Sequence, residues 1–101
     1  MDIEHWRNEI DDLDEELLRL LIMRARLALK VGALKKQSGI PICDADRERS
    51  VLTRLQANNR GPLDSRAVAK IFRRIICESR CVEARGIETT AETQVLESVS
   101  R

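Results

Sequence analysis

The chain has 101 residues, 18 Lys and Arg against 17 Asp and Glu, a formal net charge of +1, 35% charged and 43% apolar positions. That is the size of one small domain, and it lacks both the basic excess of a polyanion binder and the run of about 18 apolar residues that spans a membrane. A soluble protein with neither nucleic acid nor membrane as partner is expected. Its start, Met1-Asp2-Ile3-Glu4-His5, has no basic and apolar regions of a secretory signal, and three cysteines (Cys43, Cys77, Cys81) fit no disulfide framework. Both point to a cytoplasmic location.

One Trp, one Phe and no Tyr leave few of the residues that strands prefer, whereas Leu, Ala, Arg, Glu and Lys are abundant. An all-α fold follows. With no glycine-rich phosphate loop, one His and three scattered Cys, neither a nucleotide cofactor nor a metal is expected.

In chain order, Ile3, Trp6, Ile10, Leu13, Leu17, Leu20, Arg24, Leu27, Val31 and Leu34 step by alternating three and four residues, a helical seam of period 3.5. Ser38-Gly39 and Pro41 are its first breakers, so the spacing predicts one helix over about 3–37. Asp44 is a candidate N-cap for a second helix running to about Asn59, with Val51, Leu52 and Leu55 apolar, before a loop at Asn58-Asn59-Arg60-Gly61-Pro62. Asp64 or Ser65 caps a third helix with the stripe Val68, Ile71, Phe72, Ile75, Ile76 and Val82, expected to end at Gly86. Residues 1–85 are thus read as the helical domain and 86–101 as a polar tail or linker remnant. A first helix of roughly 50 Å is too long for two shorter helices of the same chain to cover, since a compact chain of this length has a radius of gyration near 13 Å. A second copy along the seam, an intertwined helical homodimer, is the expected solution.

Polar residues interrupt the apolar stripes. Arg24 stands where leucine is expected and needs an anion, either a carboxylate across an interface or a ligand. Lys35 falls on nearly the same face about 16 Å away, and the small Ala25, Ala28 and Gly32 between them suit a close helix crossing or a pocket floor. Ser79 and Glu83 continue the third helix's stripe four residues apart. Asp44-x-x-Arg47-Glu48 reads either as a capped, solvated helix start or as part of the same site. Arg7, about 25 Å from Arg24 on a stiff rod, reaches the same small molecule only from a partner chain. Cations and hydrogen-bonding groups on apolar faces, without an activated nucleophile, suit a small dicarboxylate and catalysis by fixed charge and orientation. Cys77 and Cys81 share a face and are read as small buried hydrophobes.

The runs Trp6 to Leu18 (WRNEIDDLDEELL), then Arg24, Val31-Gly32-Ala33-Leu34-Lys35, Pro41 to Arg49 (PICDADRER) and Ile71 to Ser79 (IFRRIICES) resemble the AroQ-type chorismate mutases over roughly residues 6–84. The resemblance implies an all-α intertwined homodimer that converts chorismate to prephenate for phenylalanine and tyrosine synthesis, without cofactor or metal. It further implies that Arg24 and the partner's Arg7 bind the substrate carboxylates, and that Lys35 reaches a carboxylate and the ether oxygen. Glu48 with the main chain at Asp44 would hold the ring hydroxyl, supported by Arg47, and Ser79 would assist at a carboxylate. Glu83 occupies the second ether-oxygen donor position, glutamine in many members, where a glutamate donates only when protonated. An isochorismate–pyruvate lyase of the same fold and a non-catalytic helical dimerisation module are the rival readings.

Overall fold

The structure is a computed structural model that describes the backbone of residues 2–99 and the side chains of residues 2–85. Three α-helices follow one another: α1, Ile3–Ser38; α2, Ala45–Asn58; and α3, Ser65–Val99. The helix starts are set by short polar side chains that take up otherwise unpaired N–H groups. Asp2 accepts from the His5 N–H at 3.0 Å, Asp44 from the Arg47 N–H at 2.9 Å, and Asp64 from the Ala67 N–H at 2.7 Å. α1 ends at Gly39, whose φ of 67° is the left-handed conformation that glycine adopts without strain. The Gly39 N–H bonds back to the Lys35 and Lys36 carbonyls, and the Ile40 N–H bonds to the Lys35 carbonyl at 2.9 Å.

α3 does not stop at Gly86, where the sequence reading ended it, but runs on to Val99. A single interior glycine costs only about 1 kcal/mol of helix propensity, and Glu88, Ala91, Glu92, Gln94, Leu96 and Glu97 beyond it are compatible with a helix. α3 is therefore nearly as long as α1 rather than a short cover for it. The polarity assigned to a tail over 86–101 concerns side chains outside the described residues.

α3 packs against both α1 and α2, which do not pack on each other. It runs alongside α1 in the same direction, with Arg24 meeting Ser79 and Gly32 meeting Glu83 farther along both helices. The row of α1 that faces α3 is the small-residue row, in which Ala28 and Gly32 are buried, and not the period-3.5 seam. A Cβ on Gly32 would lie 2.5 Å from the Glu83 carbonyl oxygen and 2.9 Å from its Cα. The other buried apolar side chains described are Val51 on α2 and Val68, Ala69 and Ile76 on α3.

The seam is left open. Ile3, Trp6, Ile10, Leu13, Leu17, Leu20, Leu27, Val31 and Leu34 are all exposed on the single chain, Leu13 at 63%. The molecule is a flat slab of 51 × 39 × 14 Å with a radius of gyration of 17.1 Å, well above the roughly 13 Å of a compact chain of this length. Among the described residues no helix is long and apolar enough to cross a membrane.

The crossing at Gly32 generates a stability prediction with two opposed contributions. Gly32→Ala improves helix propensity by about 1 kcal/mol, yet its methyl group meets backbone that has no flexible end to give way. Overpacking of this kind costs about 1–3 kcal/mol, so the variant should unfold at lower urea concentration than the wild type. A higher midpoint would mean that the two helices are not in close contact there.

Candidate functional site

A cleft of about 330 Å³ opens where α1, the segment between α1 and α2, the first turns of α2, and α3 converge. Seven of the eight residues singled out in the sequence line it: Arg24 and Lys35 from α1, Asp44, Arg47 and Glu48 around the start of α2, and Ser79 and Glu83 from α3. Ala28, Val31, Ile42, Val51 and Ile76 give it an apolar wall. Of the two uses considered for the small residues of α1, both occur: Ala28 lines the cleft, and Gly32 makes the close crossing behind it.

Arg7 is not brought to this cleft. It is exposed near the far end of α1, where its Nη1 pairs with Glu4 Oε1 at 2.9 Å.

Lys35 is fixed from two sides. Its Nζ donates to the Ile42 carbonyl at 2.8 Å and lies 3.3 Å from Glu83 Oε2, with the side chains only 17% and 12% exposed. The left-handed turn at Gly39 swings Ile42 back towards Lys35, so the cap that ends α1 also holds its last functional side chain. An ammonium group has three N–H bonds, and one of them is left for a ligand.

Arg24 is held differently. Its guanidinium donates to the Ser79 hydroxyl, which itself donates to the Ile75 carbonyl at 2.9 Å, and no carboxylate pairs with Arg24 among the described residues. A half-buried cation whose partner is a hydroxyl keeps its charge uncancelled and open to an anion. On α2 the Asp44 carboxylate is used as the helix cap, which places the Arg47 and Glu48 side chains at the helix start, where the dipole also favours negative charge.

Arg80 was missed by the sequence reading. It lines the cleft, its Nε lies 3.2 Å from Glu48 Oε1, and its Nη1 donates to Cys43 Sγ at 3.6 Å. The adjacent Glu48 carboxylate, more than the contact with Cys43, raises the Arg80 pKa above its ordinary value. Ile76, Ser79, Arg80 and Glu83 fall at i, i+3, i+4 and i+7, so the helical spacing that selects Ser79 and Glu83 also selects Arg80. The cysteine reading needs correction: Cys43 and Cys81 are exposed and Cys77 is only half-buried. Cys77 and Cys81 lie a step round α3 from Ile76, outside the stripe that meets α1 and α2. Among the described residues no group of His, Cys, Asp and Glu could hold a metal ion.

The sequence profile described as chorismate mutase type II matches residues 6–84. The chain belongs to the type II chorismate mutase family. A bifunctional chorismate mutase/prephenate dehydratase of Neisseria gonorrhoeae is 43% identical over 77 residues, covering 76% of this chain and 21% of that protein. The chain thus spans about a fifth of the length of the bifunctional relatives it matches. A chorismate mutase of Methanocaldococcus jannaschii is 32% identical over 85 residues, covering 83% of this chain and 86% of that one. Among solved structures, a chorismate mutase (form II) of Thermus thermophilus superposes with a TM-score of 0.81 at 37% identity, over 82% of this chain and 94% of the other. The chorismate mutase of Helicobacter pylori in complex with prephenate gives 0.79 at 30% identity, over 85% and 93%.

Within this family fold the two α1 cations are built into their surroundings in opposite ways, and stability measurements should separate them. Arg24→Leu should leave the thermal midpoint unchanged or raise it, because a leucine replaces a half-buried cation that has no carboxylate. Lys35→Met strands the Glu83 carboxylate and should cost about 1–3 kcal/mol at neutral pH. Equal behaviour of both variants in thermal melts would contradict the assignment.

Proposed function

We propose that the chain is a chorismate mutase, rearranging chorismate to prephenate in a homodimer whose two sites each draw one arginine from the other protomer. The observation that carries this reading is Arg24: a half-buried guanidinium on an apolar stripe whose protein partner is a hydroxyl, in a cleft that also holds Lys35 and Arg47. Four basic and three acidic side chains line that cleft, a small positive excess that suits a dicarboxylate. The M. jannaschii relative is named a chorismate mutase, and the H. pylori neighbour holds prephenate.

The rearrangement makes one C–C bond as the C–O bond of the ether breaks, with no proton transfer and no covalent intermediate. It needs the substrate folded into its reactive shape and a donor where negative charge grows on the ether oxygen. In this reading Arg24, with Ser79 beside it, and the partner's Arg7 grip the two carboxylates. Lys35 faces a carboxylate and the ether oxygen with its ammonium group. Glu48 and the main chain at Asp44 take the ring hydroxyl, with Arg47 supporting them, and a protonated Glu83 is the second donor to the ether oxygen. A rate gain of 10⁶ needs about 8 kcal/mol, within reach of orientation plus a few such contacts.

The homodimer is supported by the open seam and by a second, apolar hollow of about 550 Å³ on α1 and α3, lined by Leu17, Leu21, Ile71, Ile75 and Val82. Arg24 and Ser79 border both hollows, so a second copy seated on the apolar one lies next to the polar one. We place residues 1–85 as the unit that carries the site. Three free cysteines fit a reducing compartment and hence a cytoplasmic location.

Loss of chorismate absorbance with the purified chain tests the activity directly, and release of pyruvate from isochorismate would instead favour the lyase reading. Arg7→Ala and Arg24→Ala should each lower kcat/KM by about 10³ or more. Unfolded together and refolded, equal amounts of the two variants should recover about a quarter of the wild-type activity, since half the dimers are mixed and each has one intact site. No recovery from demonstrated heterodimers would rule out shared sites.

Substitution tests Glu83 as the second donor. Glu83→Gln keeps a neutral donor of similar length and should preserve activity, whereas Glu83→Ala should be poor. An unimpaired Glu83→Ala would remove Glu83 from the site.

A further inference from the structure

We infer that Arg80 is a positioning residue that clamps Glu48 so that its carboxylate is presented, charge-balanced, to the substrate's ring hydroxyl. The inference rests on the proposed mutase reading, in which Glu48 takes that hydroxyl, and adds to it a residue with no direct substrate role in that reading.

The geometry gives Arg80 two anchors outside its own helix. Its Nε faces Glu48 Oε1 at 3.2 Å across the α2–α3 contact, and its Nη1 reaches Cys43 Sγ at 3.6 Å in the segment that leads into α2. One guanidinium on α3 therefore ties down both the first turn of α2 and the chain just before its Asp44 cap. Glu48 has no other ion-pair partner among the described residues, and its side chain is 25% exposed against 40% for Arg80. Without Arg80 the Glu48 side chain would be free to rotate about three bonds, and that freedom would be lost on binding.

The second consequence is electrostatic. A dicarboxylate must approach a cleft lined by Asp44, Glu48 and Glu83, and an uncompensated Glu48 would repel it. The Arg80 charge at Oε1 offsets that repulsion, while Oε2 has no donor among the described residues and can accept from a hydroxyl. Arg47, on the same helix one residue from Glu48, pairs with no carboxylate among the described residues and is not its clamp.

A double-mutant cycle tests this in the full-length chain. Arg80→Gln should lower kcat/KM for chorismate about 10- to 100-fold, most of it in KM, because the hydroxyl contact exists before the bond breaks. Arg80→Lys, which keeps the charge near Glu48, should recover most of the loss. In a Glu48→Gln background the further change Arg80→Gln should cost less than about threefold. A chorismate analogue lacking the ring hydroxyl, turned over at similar rates by wild type and Arg80→Gln, gives the same answer with Glu48 intact. Full and additive losses in the double variant, or an equal loss on the analogue, would overturn the inference by showing that Arg80 acts without Glu48. An unaffected Arg80→Gln would overturn it too. A wild-type chain inactive on chorismate would overturn the mutase reading and this inference with it, whereas an active wild type confines any failure to Arg80.

Discussion

The fold depends on the crossing of α1 and α3 at Gly32, where no side chain separates the two backbones. Because a Cβ there would meet the Glu83 main chain, the helix separation at this point is set by bare backbone. The functional groups are then fixed by helical spacing. Three residues beyond Gly32, Lys35 reaches the Glu83 carboxylate at 3.3 Å. Two turns before it Arg24 meets Ser79, itself one turn before Glu83. The distance between the two α1 cations is the rise of one rigid helix, and their α3 partners are spaced by another. Such a site is preorganised by its scaffold and not by loops, which suits chemistry that depends on fixed charge.

The same crossing leaves the other face of α1 unused. Facing α3 with the small row turns the large seam residues outward, so among the described residues few apolar side chains are buried and many are exposed. Fully burying one Leu or Ile is worth about 1.5–3 kcal/mol, so a second copy laid along the seam would gain far more than the crossing itself. In the proposed assembly, stability and catalysis have a common origin: the surface that a single copy leaves open is the one through which the partner's Arg7 arrives.

Much of this was legible in the sequence because the deciding interactions are local. The alternating three- and four-residue steps from Ile3 to Leu34 reflect helix geometry, and the end of α1 and the starts of α2 and α3 follow from Gly39, Asp44 and Asp64 acting on residues within one turn. Arg24, Lys35, Ser79 and Glu83 stood out because each breaks an apolar stripe. Arg80 did not, since an arginine between Ser79 and Cys81 reads as a solvated residue until α2 brings Glu48 against it. The end of α3 was misjudged because one glycine is a weak stop without a following breaker, and residues 87–99 contain no proline. Burial at Cys77 and Cys81 depended on where α1 and α2 sit around α3, which periodicity alone does not encode.

The pairing of charges in the cleft explains how a ligand-free chain tolerates a half-buried polar site. Lys35 with Glu83 and Arg80 with Glu48 are each internally balanced, so neither pair demands an external ion. Among the half-buried cations Arg24 is the exception, leaning on a hydroxyl that is itself tethered to the Ile75 carbonyl, while Arg47, likewise without a carboxylate among the described residues, is exposed. A neutral acceptor orients the guanidinium without cancelling its charge, which a carboxylate in the same place would do. The strongest attraction for an incoming carboxylate is thereby concentrated at Arg24, and the balanced pairs supply hydrogen bonds around it without competing for the same anion. A carboxylate docked on Arg24 would bring the rest of a small ring against Val31, Val51 and Ile76, with Lys35 at one side and Glu48 at another. The polarity of the cleft thus specifies an orientation as well as a charge, and orientation is what the proposed unimolecular rearrangement most requires.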